Sequence, residues 1–466
     1  REITSTEVKH ANNKKRTLLD FQSETIRNWK SNNFAGIVKH ATGSGKTVTA
    51  ISALEQHLQK GEAAIIVVPS VLLLKQWREE ILKDIPSAII QLCGDGNVNW
   101  KKPGRLRNIL AKNEKGCGAI ILTTLSTMCS DIFMSRLGNV DHVMLIADEV
   151  HSLGEKKARG ILDFNFGKRL GLSATPERHL DPEGTQVIFN FFDGILDPVI
   201  TIEDAIREGR LVNYLYHPIR VELDEEEVLA WSQLTKKITR LGYTGPKTTP
   251  KDKLQVINRL FHRRANIAKK ASGKISAAVS MIRKNFKSEE YWLIYCEDSE
   301  QLQEVNASLQ ATGHSPYIYK TDMGKSKSSE LSEYVRNGGI MLSIRCLDEG
   351  VDIPRISHAV ILASSQNPRQ FIQRRGRVLR HDGQKDKAVI YDLFTTPNKE
   401  SGIIQDSLMR GELARSLEFA RSSLNHVAAL AKIRSILIDF GIYDTLNSEL
   451  VEQPFDPFCN VDDENE

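Results

Sequence analysis

GIVKHATGSGKTVTAISALEQHLQKG, residues 36 to 61, holds a short apolar run, a glycine-rich turn and a helical pattern in that order. The turn is ATGSGKT at 41 to 47. Thr42, Gly43, Ser44 and Gly45 let the backbone fold tightly after a strand, so that successive N–H groups and the next helix N-terminus face phosphate oxygens. Lys46 then meets the β and γ phosphates of a nucleoside triphosphate, and Thr47 offers a hydroxyl to the magnesium ion bridging them. Val48, Ile51, Leu54 and Leu58 recur at helical spacing, which predicts an amphipathic helix over Val48 to Gln59, ended by Gly61. The full phosphate-loop pattern places a glycine where this chain has His40. The departure is tolerable because the tight turn resides in Gly43 to Gly45.

Working outward, three more strings follow in fixed order: DEVH at 148 to 151, SAT at 173 to 175 and QRRGRVLR at 373 to 380. Asp148 and Glu149 close the apolar run Val143 to Ala147, at the strand end where open α/β sheets bind ligands. Asp148 is expected to hold the magnesium ion and Glu149 to orient or deprotonate the attacking water. A solvated turn is the plain alternative for such a pair taken alone. His151 is a candidate for coupling this site to the second half of the chain, or a surface histidine. Upstream, Gln22 in LLDFQSETI is a candidate for reading the adenine edge, with Phe21 nearby. In NPRQFIQRRGRVLR, Asn367 and Pro368 are suited to start a helix. On that helix Gln373, Arg377 and Arg380 share one face, where guanidinium groups would stabilise charge developing on a γ-phosphate.

Apolar runs alternate with helical patterns through the first 210 residues: Gly36 to Val38, Ala63 to Val68, Gly118 to Leu122, His142 to Ala147 and Arg169 to Leu172. A second alternation has Tyr291 to Cys296, Tyr317 to Tyr319, Ile340 to Ile344, Ala359 to Ala363 and Ala388 to Leu393. Both predict α/β lobes built on parallel sheets. The organisation expected is a tail at 1–15, a first lobe at 16–212, a second lobe at 213–400 carrying a helical basic insertion at about 224–286, C-terminal helices at 401–452 and an acidic tail at 453–466.

Sixty-three Lys and Arg against 59 Asp and Glu give a net charge of +4, too small to define a nucleic-acid partner by itself. The distribution is more informative. Between Lys251 and Lys287 stand eleven Lys or Arg and one acid, Asp252. Arg263, Arg264, Lys269 and Lys270 in this stretch are candidates for sequence-independent contacts to a phosphate backbone, with a solvated helix face as the alternative. Six scattered cysteines without a CxxC pair argue against a zinc or iron–sulfur site. Together with the lack of a long apolar run, they fit a reducing, cytoplasmic compartment, nucleoid-associated in a prokaryote or nuclear in a eukaryote.

The chain resembles a superfamily 2 helicase, and DEVH, GLSATPER, CLDEGVDIP and QRRGRVLR are similar to the XPB-type (xeroderma pigmentosum group B) DNA helicases and translocases. The resemblance covers roughly residues 16 to 400. It implies two tandem RecA-like P-loop NTPase lobes, with a thumb-like helical insertion in the second and ATP and Mg2+ as cofactors. It makes Gln22 the adenine reader and Ser173 and Thr175 the link between hydrolysis and strand movement. Gly350 and Asp352 become second-lobe nucleotide contacts, and Arg377 and Arg380 become arginine fingers. Pro69, Ser70, Thr123, Thr124 and the Cys296 region would line the nucleic-acid groove. XPB-type proteins carry Arg-Glu-Asp after the SAT string, where this chain has Arg178, His179 and Leu180, so translocation is better supported than strand separation. The expected activity is ATP hydrolysis driving movement along, or opening of, duplex DNA. Duplex RNA, or a nucleotide-switched DNA clamp partnered with a nuclease, are the alternatives.

Overall fold

The computed structural model describes residues 16–113, 118–178, 181–243, 249–320, 326–344, 355–362, 376–381, 383, 385–397 and 416–440. They fall into two compact units, one through Ala205 and a second from Ile206 onward. Each is built on a parallel sheet.

In the first unit β1 (Ala35–His40), β2 (Ala64–Val68), β3 (Ile89–Cys93), β4 (Ala119–Thr124), β5 (Met144–Asp148), β6 (Lys168–Ser173) and β7 (Ile195–Ile200) lie in the order β3-β4-β2-β5-β6-β1-β7. Side chains of successive strand residues point to opposite faces, so unbroken apolar runs such as AIIVV in β2 can serve two cores at once. Ile65 and Val67 join Ile37, Ile121 and Leu145 on one face, while Ala64, Ile66 and Val68 join Val38, Leu122 and Ile146 on the other. The helix Lys46–Leu58 covers the second face with Ala50, Ile51, Leu54 and Leu58. It starts two residues earlier than its apolar spacing predicts, because Gly45 is already left-handed and turns the chain directly into the helix.

Strands β3 and β7 escape the pattern of apolar runs because they are edges: Ile89 is 62% exposed, and β7 carries Pro198, which an edge strand tolerates.

The second unit contains β8 (Asn213–Glu222), β9 (Tyr291–Cys296), β10 (Tyr317–Tyr319), β11 (Gly339–Ile344), β12 (His358–Ile361) and β13 (Lys387–Thr396), in the order β10-β11-β9-β12-β13-β8. The edge strand β8 pairs with β13 from Asn213↔Lys387 to Glu222↔Thr396. Its Pro218 again disguises it in the sequence. The C-terminal helix His426–Asp439 is fastened to β8 through Asn425 Nδ2 to Tyr216 O at 2.9 Å and Arg220 Nη1 to Asp439 Oδ2 at 3.1 Å.

The helical stretch after β8 consists of helices Glu225–Arg240, Lys251–Lys269 and Ser272–Asn285. Asp224 and Glu227 form a capping box that starts the first. The first two pack on each other through Val228, Trp231 and Ala268, and again through Ile238 and Ile257 with Tyr243. The third behaves differently. Its Ala278 and Ile282 enter the main core of the second unit beside Ile294 and Leu302, so it is part of the sheet's cover.

Candidate active site

β1 runs into the glycine turn, where Gly43 has φ 88° and Gly45 φ 92°, conformations that a side chain resists. Gln22, from the helix Asp20–Ser31, lies over this turn. Its Nε2 donates to Ser44 O and Gly45 O, both at 3.3 Å, while its Oε1 accepts from Leu19 N at 3.0 Å. A Cβ added at Gly45 would sit 2.6 Å from Gln22 Nε2, so bare backbone is required there. The helix Lys46–Leu58 begins without a side-chain cap, leaving its first N–H groups as an anion site. Lys46 Nζ folds onto the same turn, donating to His40 O at 2.9 Å and Ala41 O at 3.3 Å. Thr47 follows in the first helical turn.

His40, which replaces the first glycine of the pattern, is a buried component of this site. Its Nε2 lies 3.0 Å from Pro198 O and 3.2 Å from Thr25 Oγ1, and its ring meets Phe21 edge-on. Burial, with the Lys46 charge, lowers its pKa to about 4. His57, buried at the far end of the helix Lys46–Leu58, is also lowered to about 4 by burial. Its Nε2 donates to Ala63 O at 2.8 Å, and Lys168 Nζ donates to Nδ1 at 2.9 Å, which requires a neutral ring. Both histidines titrate near 6.5 in an unfolded chain, so the unfolded state binds more protons between pH 6.5 and 4. Folding stability is therefore lost as pH falls through that window. Urea unfolding at pH 7, 5.5 and 4.5 is expected to show the loss, and His57→Gln, which keeps a donor for Ala63 O, to flatten it. An unchanged slope in the variant would contradict the assignment.

Asp148 ends β5 and is half-buried. Its Oδ2 accepts from Trp77 Nε1 at 2.8 Å and its Oδ1 from Glu149 N at 3.0 Å. Burial pushes this carboxyl above its ordinary range, while Trp77, the Lys46 charge and the Glu149 amide oppose the shift. A carboxylate in that position calls for a cation. The left-handed glycines, the uncapped helix start, Lys46 and the half-buried Asp148 thus fit a magnesium–nucleotide group. Thr47 and Asp148 would hold the metal, which when bound neutralises phosphate charge. Glu149 adopts φ 47°, a strained conformation for a non-glycine residue, and its Oε2 lies 3.4 Å from His151 Nδ1. Trp77 was not singled out from the sequence. Nothing in the pattern of its helix Val71–Asp84 distinguishes a carboxylate-holding indole from a core residue.

The remaining first-unit candidates line the same carboxyl edge. Ser173 ends β6 and its Oγ accepts from Thr175 N at 3.1 Å. Thr175 Oγ1 is buried without a hydrogen-bond partner among the described residues. Pro69 and Ser70 follow β2, and Ser70 caps the helix Val71–Asp84. Thr123 and Thr124 end β4 but are buried, and the Thr124 hydroxyl caps the short helix Leu125–Met128. Their side chains thus serve local structure.

In the second unit Gln373, Gly350 and Asp352 lie outside the described residues. Arg377 sits on a short helical turn, but Arg380 has left it and forms a β-bridge with Leu211. The one-face argument for these arginines therefore does not extend to Arg380. The turn is tied down by Val212 N to Leu379 O at 2.8 Å, and by Lys385 Nζ, which donates to Val378 O and Ile356 O at 2.9 Å each.

The basic stretch is corrected in detail. Arg263 is exposed, whereas Arg264 lies over the Trp231 and Phe261 rings, donates to Thr235 Oγ1 at 3.2 Å and is lowered by burial to about 10. Lys269 pairs with Glu297 at 3.0 Å, and Lys270 with Asp298 at 2.9 Å and with Glu300. Lys274 is fully buried, donating to Leu362 O. Folding brings in acids from outside the 251–287 window. The cations still exposed are Lys253, Arg259, Arg263, Arg283, Lys284 and Lys287.

Fold and site together define a P-loop ATPase built from RecA-like lobes. Residues 15–178 match the family model of the Type III restriction enzyme res subunit, and residues 273–382 match the helicase conserved C-terminal domain. The chain is 28% identical over 400 residues to the DNA 3'-5' translocase XPB2 of Sulfurisphaera tokodaii, covering 81% of each protein. It is 24% identical over 401 residues to the DNA 3'-5' helicase XPB of Kineococcus radiotolerans, covering 82% of this chain but 60% of that protein. Two solved structures share the fold. The Hef helicase domain of Pyrococcus furiosus matches with TM-score 0.53 and 17% identity, over 80% of this chain and 94% of that one. The DNA-bound Type ISP restriction-modification enzyme LlaBIII matches with TM-score 0.61 and 15% identity, over 92% and 33%. The chain belongs to the superfamily 2 helicases, an ATP-hydrolysing family, and within them it is XPB-like. Among the described residues, no helix is long and apolar enough to cross a membrane.

Proposed function

We propose that this chain hydrolyses ATP with magnesium to drive movement along, or opening of, duplex DNA without reading its sequence. The observation that carries the ATPase is the meeting of the bare glycine turn, Lys46 and the half-buried Asp148 at one carboxyl edge. DNA as the track rests on the similarity to proteins named as DNA translocases and helicases. Lys46 would grip phosphate, Thr47 and Asp148 would hold magnesium, Glu149 would act on the water, and Gln22 would read adenine in exchange for its bonds to Ser44 O and Gly45 O.

A second reading has specific support. The match of residues 15–178 to the family model of a restriction-enzyme subunit favours a nucleotide-switched DNA clamp partnered with a nuclease. Displacement of the third strand from a DNA triplex separates a translocase from a clamp. ATP-dependent release is expected from the wild-type chain; brisk hydrolysis with no release would sink the translocase and leave the clamp.

A further inference from the structure

Arg178 stands three residues after Thr175, at the position where the sequence leaves the Arg-Glu-Asp pattern. Its guanidinium does not extend into solvent. Nη1 donates to the carbonyl oxygen of His151 at 2.6 Å, and Nε donates to Asp181 Oδ2 at 2.7 Å. Its backbone N–H donates to Thr185 Oγ1 at 2.8 Å. The other Asp181 oxygen accepts from Gly184 N at 2.9 Å, capping the helix Pro182–Phe192. One side chain thus joins the turn that carries DEVH, the segment leaving SAT, and a helix start.

The packing around it is close. A Cβ at Gly154 would lie 2.5 Å from Arg178 Cδ and 2.7 Å from the Gly184 carbonyl oxygen, so a bare glycine is needed there to admit the arginine. Its target is the 3-10 turn Val150–Gly154, which follows directly from Glu149 in its left-handed conformation. A fork that binds two acceptors in different directions resists rotation of that turn, which a single point charge does not.

We propose that Arg178 is a positioning residue: it braces the DEVH turn against the segment leaving SAT, holding Glu149 in the orientation that acts on water. The assignment rests on the ATPase reading above.

The test compares Arg178→Met and Asp181→Asn with wild type, measuring kcat and KM for ATP, with and without duplex DNA, alongside thermal unfolding. Misplacement of a reacting group by a fraction of its hydrogen-bond length is costly, so Arg178→Met is expected to lower kcat roughly 10- to 100-fold while KM moves less than about threefold. Asp181→Asn retains the helix cap but loses the ion pair, so a smaller loss in the same direction is expected. A purely structural arginine would instead lower the unfolding midpoint and leave kcat per folded molecule at the wild-type value. That result in either variant would overturn the proposal. If wild-type hydrolysis proves indifferent to DNA, the motor reading fails, and Arg178 is still judged by kcat without DNA.

Discussion

Lys46→Ala is expected to reduce ATP turnover by roughly 10²- to 10³-fold, the range seen when one preorganised donor to a reacting oxyanion is removed. The ammonium is the one side-chain charge on the glycine turn, held there by His40 O and Ala41 O. Its loss leaves phosphate facing only backbone N–H groups and the helix start. A second consequence follows for Asp148. Lys46 is among the groups opposing the upward push of burial on that carboxyl, so removing it favours the protonated acid, a poorer magnesium ligand. Lys46→Arg is not expected to rescue turnover, because a planar fork does not replace a compact charge in a turn this tight. The fold should survive, since Lys46 is only partly buried and donates to backbone carbonyls where β1 ends. Phosphate release measured under saturating ATP checks the prediction. Turnover within tenfold of wild type would contradict it.

Glu149→Gln is the second large expected effect. A positioned general base contributes about 10²- to 10⁴-fold, and glutamine matches glutamate in size while lacking basicity. The substitution leaves the Glu149 N–H to Asp148 Oδ1 bond intact, because that bond belongs to the backbone. The loss should therefore appear in kcat, with KM for ATP near wild type. Single-turnover measurements separate hydrolysis from product release. A kcat within threefold of wild type would remove Glu149 from the chemistry.

The interior strands were legible because their residues are apolar on both faces: YWLIYC became β9 at the bounds its sequence predicts. Of the edge strands, β10 was legible in YIY, whereas β3, β7 and β8 were not. Ile89 is solvent-facing, and Pro198 and Pro218 lie within β7 and β8, so one-sided burial and proline removed the signal. The phosphate turn was readable because its conformation is written in two closely spaced glycines, Gly43 and Gly45. Charge counting over 251–287 read poorly, since a linear window cannot see Trp231 under Arg264 or Glu297 beside Lys269. Trp77 was invisible for a related reason, since its partner Asp148 is distant in sequence, and so was the contact of Arg178 with the His151 carbonyl. His40 was read as a tolerated departure, and the structure places it in contact with Thr25, Phe21 and Pro198.

ATP turnover with no polynucleotide, single-stranded DNA, duplex DNA and duplex RNA tests the motor most directly. DNA is expected to accelerate hydrolysis in the wild-type chain and to do nothing in Lys46→Ala. Stimulation by duplex RNA above that by DNA would transfer the activity to RNA, because only ribose offers 2′-hydroxyl contacts. Equal turnover with and without any polynucleotide would contradict the motor itself.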